Sequence, residues 1–391
     1  MHGTKRQVLV AAMTVAIAGG AAMRITGDPQ LRTRQDVERH LDGMAESAVP
    51  GIQYAVVSAD ELVFRHAAGW ADIASERPMS HDTTMMAFSM TKTLTAAASL
   101  QLVERGVLSL DDELDAFVPD TPYAGRGITV RQLISHTSGI PNPIPLRWVH
   151  LADDEESFDE AAALASVLEA NPKLDSEPGE QYAYSNIGYW LLGKVIEVAS
   201  GQRYADFVAQ HVLEPLGVAA EMSVGIDEPE RHASGYLARW SVTNLIKGFV
   251  TDSAFWGDYS GDWLRIRNHH LDGPAFGGLV GTATGFGRFL QDQLRPTSVL
   301  FGDETRTIFH SPQQSASGQP LPMTLGWHIG DADGTPYLFK EGGGGGFHAE
   351  MRLYPESGLG TVVMVSNTDF DSTSFLNRVD RVFIGEKEGR P

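Results

Sequence analysis

Ser89-Met90-Thr91-Lys92 is the one place in the chain where a serine is followed three residues later by a lysine. On a helix that spacing sets both side chains on one face. A neutral lysine beside a serine can take its proton, and a helix N-terminus favours the negative charge that develops. Lys92 would need its pKa lowered by desolvation or by a nearby cation. Its flanks suit that requirement: Met85, Met86, Ala87 and Phe88 come before, and Leu94 and Ala96 to Ala98 come after. The competing reading is a capping serine with an ordinary surface lysine.

Tyr184-Ser185-Asn186 is the only Tyr-x-Asn in the chain. A phenol beside a lysine can relay a proton to a leaving group, and an asparagine can hold a substrate amide or carbonyl. Taken alone, the triplet reads equally as a buried tyrosine before a helix capped by Ser185 or Asn186. Lys340-Glu341-Gly342-Gly343 runs on into three more glycines, between two strand-like stretches. Glycines let a substrate approach the backbone, and free N–H groups there can form an oxyanion hole. Five in a row cost more folding entropy than a plain hairpin loop requires.

Other chemistries lose on residue content. The chain lacks Gly-x-Ser-x-Gly, which disfavours a nucleophile elbow. It lacks HExxH, and the adjacent His269 and His270 cannot offer ligands on one helix face, so neither metal nor cofactor is expected. The glycine run is not followed by Lys-Ser/Thr, so it is not a phosphate loop. With no cysteine there is no disulfide, Cys-ligated zinc or Cys nucleophile. A formal net charge of −20 argues against nucleic acid and anionic lipid as partners.

These residues need elements to hold them. Helical spacing of Leu31, Val37, Leu41 and Met44 predicts a helix over 30–48, and two strand-like runs around Ile52–Val56 and Leu62–Phe64 predict a hairpin. After Ser89 the pattern predicts a helix stopped by Gly106. Further helices are expected over 158–170, 187–200, 204–213 and 283–294. Residues 236–276 read as a long irregular stretch rich in aromatics, either ordinary packing or a wall for an apolar acyl or alcohol group. Strands are expected over 325–329, 337–340, 347–354 and 361–366, and a helix over 372–383. Strands at both ends imply one antiparallel sheet around a helical insertion.

Ser-x-x-Lys, Tyr-x-Asn and a Lys-x-Gly box, in that order, resemble the serine β-lactamase and penicillin-binding-protein superfamily, over about residues 35 to 385. Leu133 to Gly139, Gly278 to Ala283 and the run from Gly346-Phe347 to Tyr354-Pro355 resemble its supporting signatures. Tyr-Ser-Asn places the chain beside the class C β-lactamases, DD-peptidases of that type and family VIII carboxylesterases. The resemblance implies an α+β fold of the β-lactamase/DD-peptidase kind: an antiparallel sheet flanked by helices, plus an inserted all-helical subdomain. It implies Ser89 as nucleophile, Lys92 as base partner, Tyr184 as proton relay and Asn186 as substrate-positioning residue. Lys340 would polarise the site, and the N–H groups of Ser89 and Gly343 would form the oxyanion hole, with Gly342 beside them. His136, tempting as a triad base, lies in a stretch that the family uses as a structural turn.

The departure is Glu341, where β-lactam-processing members usually carry Thr or Ser. A carboxylate facing the pocket would repel an anionic substrate and remove a donor. The expected activity is therefore a carboxylesterase on small neutral esters. The alternatives are a DD-peptidase, D-aminopeptidase or β-lactamase of the same fold, or a catalytically silent binding protein. The expected boundaries are a signal segment over 1–24, an α/β subdomain over 25–85 with 320–391, and a mainly helical subdomain over 86–319. Lys5 and Arg6 precede an apolar run from Val8 to Ala18 and small residues from Gly19 to Ala22, the pattern of an export signal or of an Ala-rich helix on a cytoplasmic protein. The apolar run is too short for a comfortable membrane span.

Overall fold

A computed structural model describes residues 31–144 and 147–388. Its framework is a seven-stranded sheet built from the two ends of the chain. The N-terminal part supplies β1 (Gly51–Ser58), β2 (Leu62–Asp72) and β3 (Arg77–Pro78). The C-terminal part supplies β4 (His328–Ala332), β5 (Thr335–Gly344), β6 (Phe347–Tyr354) and β7 (Leu359–Val365). The order is β4-β5-β6-β7-β1-β2-β3, every neighbour antiparallel. The expected joining of the ends occurs between β1 and β7, with Ile52 opposite Val365 and Ser58 opposite Leu359. Strands β6 and β7 are buried along their whole length, as strands covered on both faces must be.

Two helices cover one face. α1 (Arg34–Ser47) begins with a capping box between Thr33 and Asp36 and buries Val37 and Leu41. The final helix, Ser372–Glu388, packs Phe375, Leu376 and Val379 beside them on Tyr54, Val56 and Val363. The opposite face carries the helical half of the molecule. Its central rod, α2 (Thr91–Glu104), is buried at every residue from Thr91 to Leu102, as its lack of a polar face dictates. α3 (Asn186–Ser200) packs on α2, starts at the Ser185 cap and ends at Gly201 with φ +70°. The sequence groups α4 (Ala283–Leu294) with the insertion; it lies instead on the sheet, with Phe286 and Leu290 in the core beside Val57 and Val362. The Ser372–Glu388 helix is therefore α5.

The 236–276 stretch departs from expectation. It is not irregular: Gly235–Ala238, Trp256–Ser260 and Trp263–Ile266 form a small antiparallel sheet. A helix covers Val242–Val250, and His269–Leu271 pairs with Val149–Leu151. Strands of three to five residues are too short to show their alternation against so many aromatics. The 325–329 strand starts later, at His328, and the 204–213 helix loosens into a π turn at Ala209–Leu213. No helix among the described residues is long and apolar enough to cross a membrane. The proposed signal segment lies outside the described residues.

Candidate active site

Ser89 sits in a single 3₁₀ turn, Phe88–Met90, that runs directly into α2. Phe88 has φ +44°, in the left-handed region that non-glycine residues avoid, so strain is held next to the serine. Its ring is buried and occupies the space that a side chain on Gly344 would need. Lys92, the second residue of α2, is fully buried and its Nζ lies 3.0 Å from Ser89 Oγ. Lys92 Nζ also donates to the Phe276 carbonyl at 2.5 Å.

Tyr184 comes from the segment that leads into α3 and donates its hydroxyl to Ser89 Oγ at 2.7 Å. His136 builds its seat. The His136 carbonyl accepts from Ala183 N–H at 2.7 Å, its Nδ1 accepts from Ser185 N–H at 3.1 Å, and its ring lies 4.3 Å from the Tyr184 ring. With Nδ1 spent on the backbone and the ring against Tyr184, His136 does not face Ser89 as a base. Burial, helped by the charges of Lys340 and Lys92, pushes its pKa well below the usual imidazole value.

Lys340 enters from β5, fully buried, with Nζ 5.2 Å from the centre of the Tyr184 ring and no hydrogen-bond partner among the described residues. Burial lowers its pKa to about 7, against the pull of Glu341. Burial, with the Lys340 charge second, also drives Lys92 well below the ordinary amine value. Burial moves Tyr184 the other way, above the usual phenol value, so near neutral pH it is a phenol and not a phenolate. Lys92, rather than Tyr184, can therefore offer a lone pair to the Ser89 proton, while Tyr184 keeps a proton to give.

The glycine run explains how β5 reaches the serine. β4 pairs with β5 only as far as Phe339, which leaves residues 340–344 as an edge without a strand neighbour on that side among the described residues. Gly342 presses this edge onto the start of α2: a Cβ there would come 2.8 Å from the Ser89 nitrogen. At the far end Gly346, with φ +92°, turns against the backbone of Gly235. Gly343 follows Gly342 on the same edge. Asn186, the first residue of α3, is buried; its N–H donates to Asn142 Oδ1 at 3.0 Å, and its side-chain amide has no protein partner among the described residues.

Glu341 is placed differently from the pocket-facing orientation considered on sequence. Alternation along β5 points Lys340 and Gly342 to the α2 side and Glu341 to the α5 side, opposite Glu350. Its carboxylate meets His348 Nε2 at 2.7 Å. It acts on the site through space, raising the pKa of both Lys340 and Tyr184. The Phe276 carbonyl carries no residue-type signal and went unread in the sequence.

Away from Ser89, one atom each of His150, Glu155 and His270 converge within 4.8 Å. The sequence expectation of no metal site considered only one helix face; here His150 and His270 stand opposite each other across two strands. The members are tied to one another by hydrogen bonds. His270 Nε2 accepts from Ile226 N–H at 3.1 Å, so its Nδ1 carries the proton, which is donated to Glu155. A cation bound at Nδ1 would put a second N–H against that of Ile226, so the set does not suit a metal.

The profile of the Beta-lactamase family matches residues 10–383. Penicillin-binding protein 4* of Bacillus subtilis is 25% identical over 369 residues, covering 90% of this chain and 77% of that protein. The D-alanyl-D-alanine-carboxypeptidase/endopeptidase AmpH of Escherichia coli is 25% identical over 358 residues, covering 88% and 86%. Among solved structures, the D-amino acid amidase of Ochrobactrum anthropi superposes with a TM-score of 0.73 at 23% identity, over 91% of this chain and 99% of that one. The octameric penicillin-binding protein homologue of Pyrococcus abyssi gives 0.70 at 23% identity, over 89% and 76%.

Proposed function

The chain belongs to the Beta-lactamase family and is a serine hydrolase, and from that premise we propose that it cleaves small neutral esters through an acyl-enzyme on Ser89. Ser89 Oγ attacks the ester carbonyl carbon as Lys92 takes its proton. The carbonyl oxygen becomes an oxyanion that faces the N–H groups of Ser89 and Gly343. The C–O bond then breaks, and the alcohol leaves with a proton from Tyr184 or Lys92. Water attacks the acyl-enzyme, the acid departs, and Ser89 regains its proton. Lys340 supplies positive charge behind Tyr184, and Asn186 offers its amide to the substrate. The N-terminal run from Lys5 to Ala22 supports action outside the cytoplasm.

The observation that carries the ester reading is Glu341. The residue after Lys340 offers a carboxylate and no hydroxyl, and its charge reaches Tyr184 and Lys340. That side chain is turned from Ser89, so a ligand carboxylate meets its like charge through space. The names of the relatives favour a second reading, cleavage of a D-amino-acid amide or peptide on the same residues. A panel of p-nitrophenyl esters, nitrocefin, a D-amino-acid amide and a D-Ala-D-Ala peptide separates them. Neutral short-chain esters should turn over best and nitrocefin poorly, and Glu341→Thr should raise β-lactam acylation relative to ester hydrolysis. Efficient nitrocefin turnover by the unaltered enzyme, or an unchanged ratio in the variant, would sink the Glu341 argument. Faster amide than ester hydrolysis would establish the second reading.

A further inference from the structure

Phe276, whose carbonyl holds Lys92, lies four residues after Asp272, and Asp272 is held by His150. We propose that His150, bridging Asp272 and Glu155, is a positioning residue: its two-sided bridge holds the turn that presents the Phe276 carbonyl, and so keeps Lys92 aimed at Ser89. The proposal rests on the reading of Ser89 and Lys92 as a reacting pair.

His150 stands on the strand Val149–Leu151, paired with His269–Leu271. Its Nδ1 is 2.9 Å from Asp272 Oδ1 and its Nε2 is 2.8 Å from Glu155 Oε2. Both ring nitrogens face carboxylates, so only the doubly protonated ring can donate to both. The ring is fixed by stacking on Phe158 at 3.8 Å. From Asp272 the path to the active site is short. Asp272 N–H donates to the Trp148 carbonyl at 3.0 Å, and Gly273 opens the turn Pro274–Gly277. That turn is wedged by its Phe276 ring between Trp148 and Trp190, and it is tied to α2 by Thr95, which donates to the Ala275 carbonyl at 2.8 Å.

The charged and titratable groups around His150 are few. Glu155 faces it from the turn Ala152–Ser157, His270 from the paired strand at a ring distance of 5.6 Å, and Asp272 from the end of that strand. His269 is beside His270, Asp227 lies close enough to feel His270, and Arg267 is engaged by Asp153 at 3.0 Å. Burial works against the charged ring, but the bonds to Asp272 and Glu155 outweigh it and raise the His150 pKa above 6.5. For Glu155, burial works the other way and the two histidine bonds win, lowering its pKa below 4.5. The His150 contribution is therefore complete below 6.5 and is lost as pH rises through the raised value in the fold; the Glu155 contribution is present above 4.5 and is lost as pH falls. Once His150 is neutral, one nitrogen turns a lone pair toward a carboxylate and the bridge opens on that side.

The test follows the His150 ring by NMR and, on the same samples, the rate at which a fluorophosphonate labels Ser89 between pH 5 and 9, beside kcat on the best ester. The proteins are the unaltered enzyme, Asp272→Asn and His150→Gln. In Asp272→Asn the side-chain amide can still accept the Nδ1 proton but has lost the charge. The labelling rate and kcat, not KM, should fall by roughly tenfold as His150 deprotonates, a modest share of what misplacing a reacting group can cost. In Asp272→Asn that fall should move to lower pH together with the His150 titration, while the rate at pH 5.5 and the Tm there stay close to normal. In His150→Gln the step should vanish, leaving the lower rate throughout. A His150 titration that moves in Asp272→Asn while the labelling profile does not would overturn the proposal. So would a rise in Tm on adding Zn²⁺ that His150→Gln abolishes, since the cluster would then be a metal site. Labelling absent from Ser89 at every pH would instead count against the nucleophile assignment, separating the two failures.

Discussion

At the scale of single residues, what decides the chemistry is where protons rest. Ser89 Oγ lies 3.0 Å from Lys92 Nζ and 2.7 Å from the Tyr184 hydroxyl, and burial pushes those two groups to opposite sides of their ordinary values. Reactivity should therefore rise with pH as Lys92 loses its proton, an acid limb that Lys92→Ala removes along with ~10³-fold or more of the rate. Tyr184→Phe leaves the ring in place and deletes only the hydroxyl proposed to hand on a proton, so its loss should fall on kcat. Rates of fluorophosphonate labelling and of ester turnover check both variants, and near-native turnover by Tyr184→Phe would make Tyr184 a packing residue. The meeting of Ser89, Lys92, Tyr184 and Lys340 was legible because their types and order carry the signal. The face taken by Glu341 was not, because it depends on the parity of a strand whose register only the fold sets. Nor was the bridge of His150 to Asp272, 122 positions apart and joined by the pairing of two three-residue strands.

At the scale of elements, the site is a meeting of one helix start with one strand edge. The α2 helix was readable from its apolar run and its stop at Gly106, where φ is +69°. The glycine run was readable as a close approach, though not what it approaches. A Cβ on Gly342 would overlap the Ala87 carbonyl oxygen and come 2.8 Å from the Ser89 nitrogen, so even a methyl group must push β5 off the serine. Gly342→Ala should lower Tm, because the atoms its methyl meets are backbone that cannot swing aside, and lose on the order of 10²-fold in kcat. Turnover and Tm measured together check this, and full activity in Gly342→Ala would show that the edge tolerates displacement. The small sheet within 235–266 escaped the sequence reading because its strands are too short for period two to emerge.

At the scale of the whole molecule, sequence revealed the α+β layout because strands at both ends surround a helix-rich middle, and β1 does pair with β7. The helix over 283–294 showed its boundaries but not its partner, since an amphipathic face does not say which surface will cover it. Export belongs to this scale as well. Protein recovered from outside the cytoplasm of its native host should begin between about Gly19 and Arg24, as the small residues after the apolar run direct. N-terminal sequencing decides it, and soluble mature protein that retains residues 1 to 18 would place the enzyme in the cytoplasm.

The pairing of β1 with β7 also sets an order in time. Ser89 and Lys92 leave the ribosome well before Lys340 and the glycine edge, which lie near the other end of the chain. Until those strands arrive, β1 lacks its β7 neighbour and the serine lacks the edge that carries Gly342. Contacts so distant along the chain carry a loop-closure cost that slows folding. A nascent or prematurely ended chain therefore holds Ser89 and Lys92 without the edge that packs against them. On the proposed mechanism, reactivity at Ser89 should be acquired only when the sheet closes, and the onset of labelling during refolding is expected to coincide with that closure.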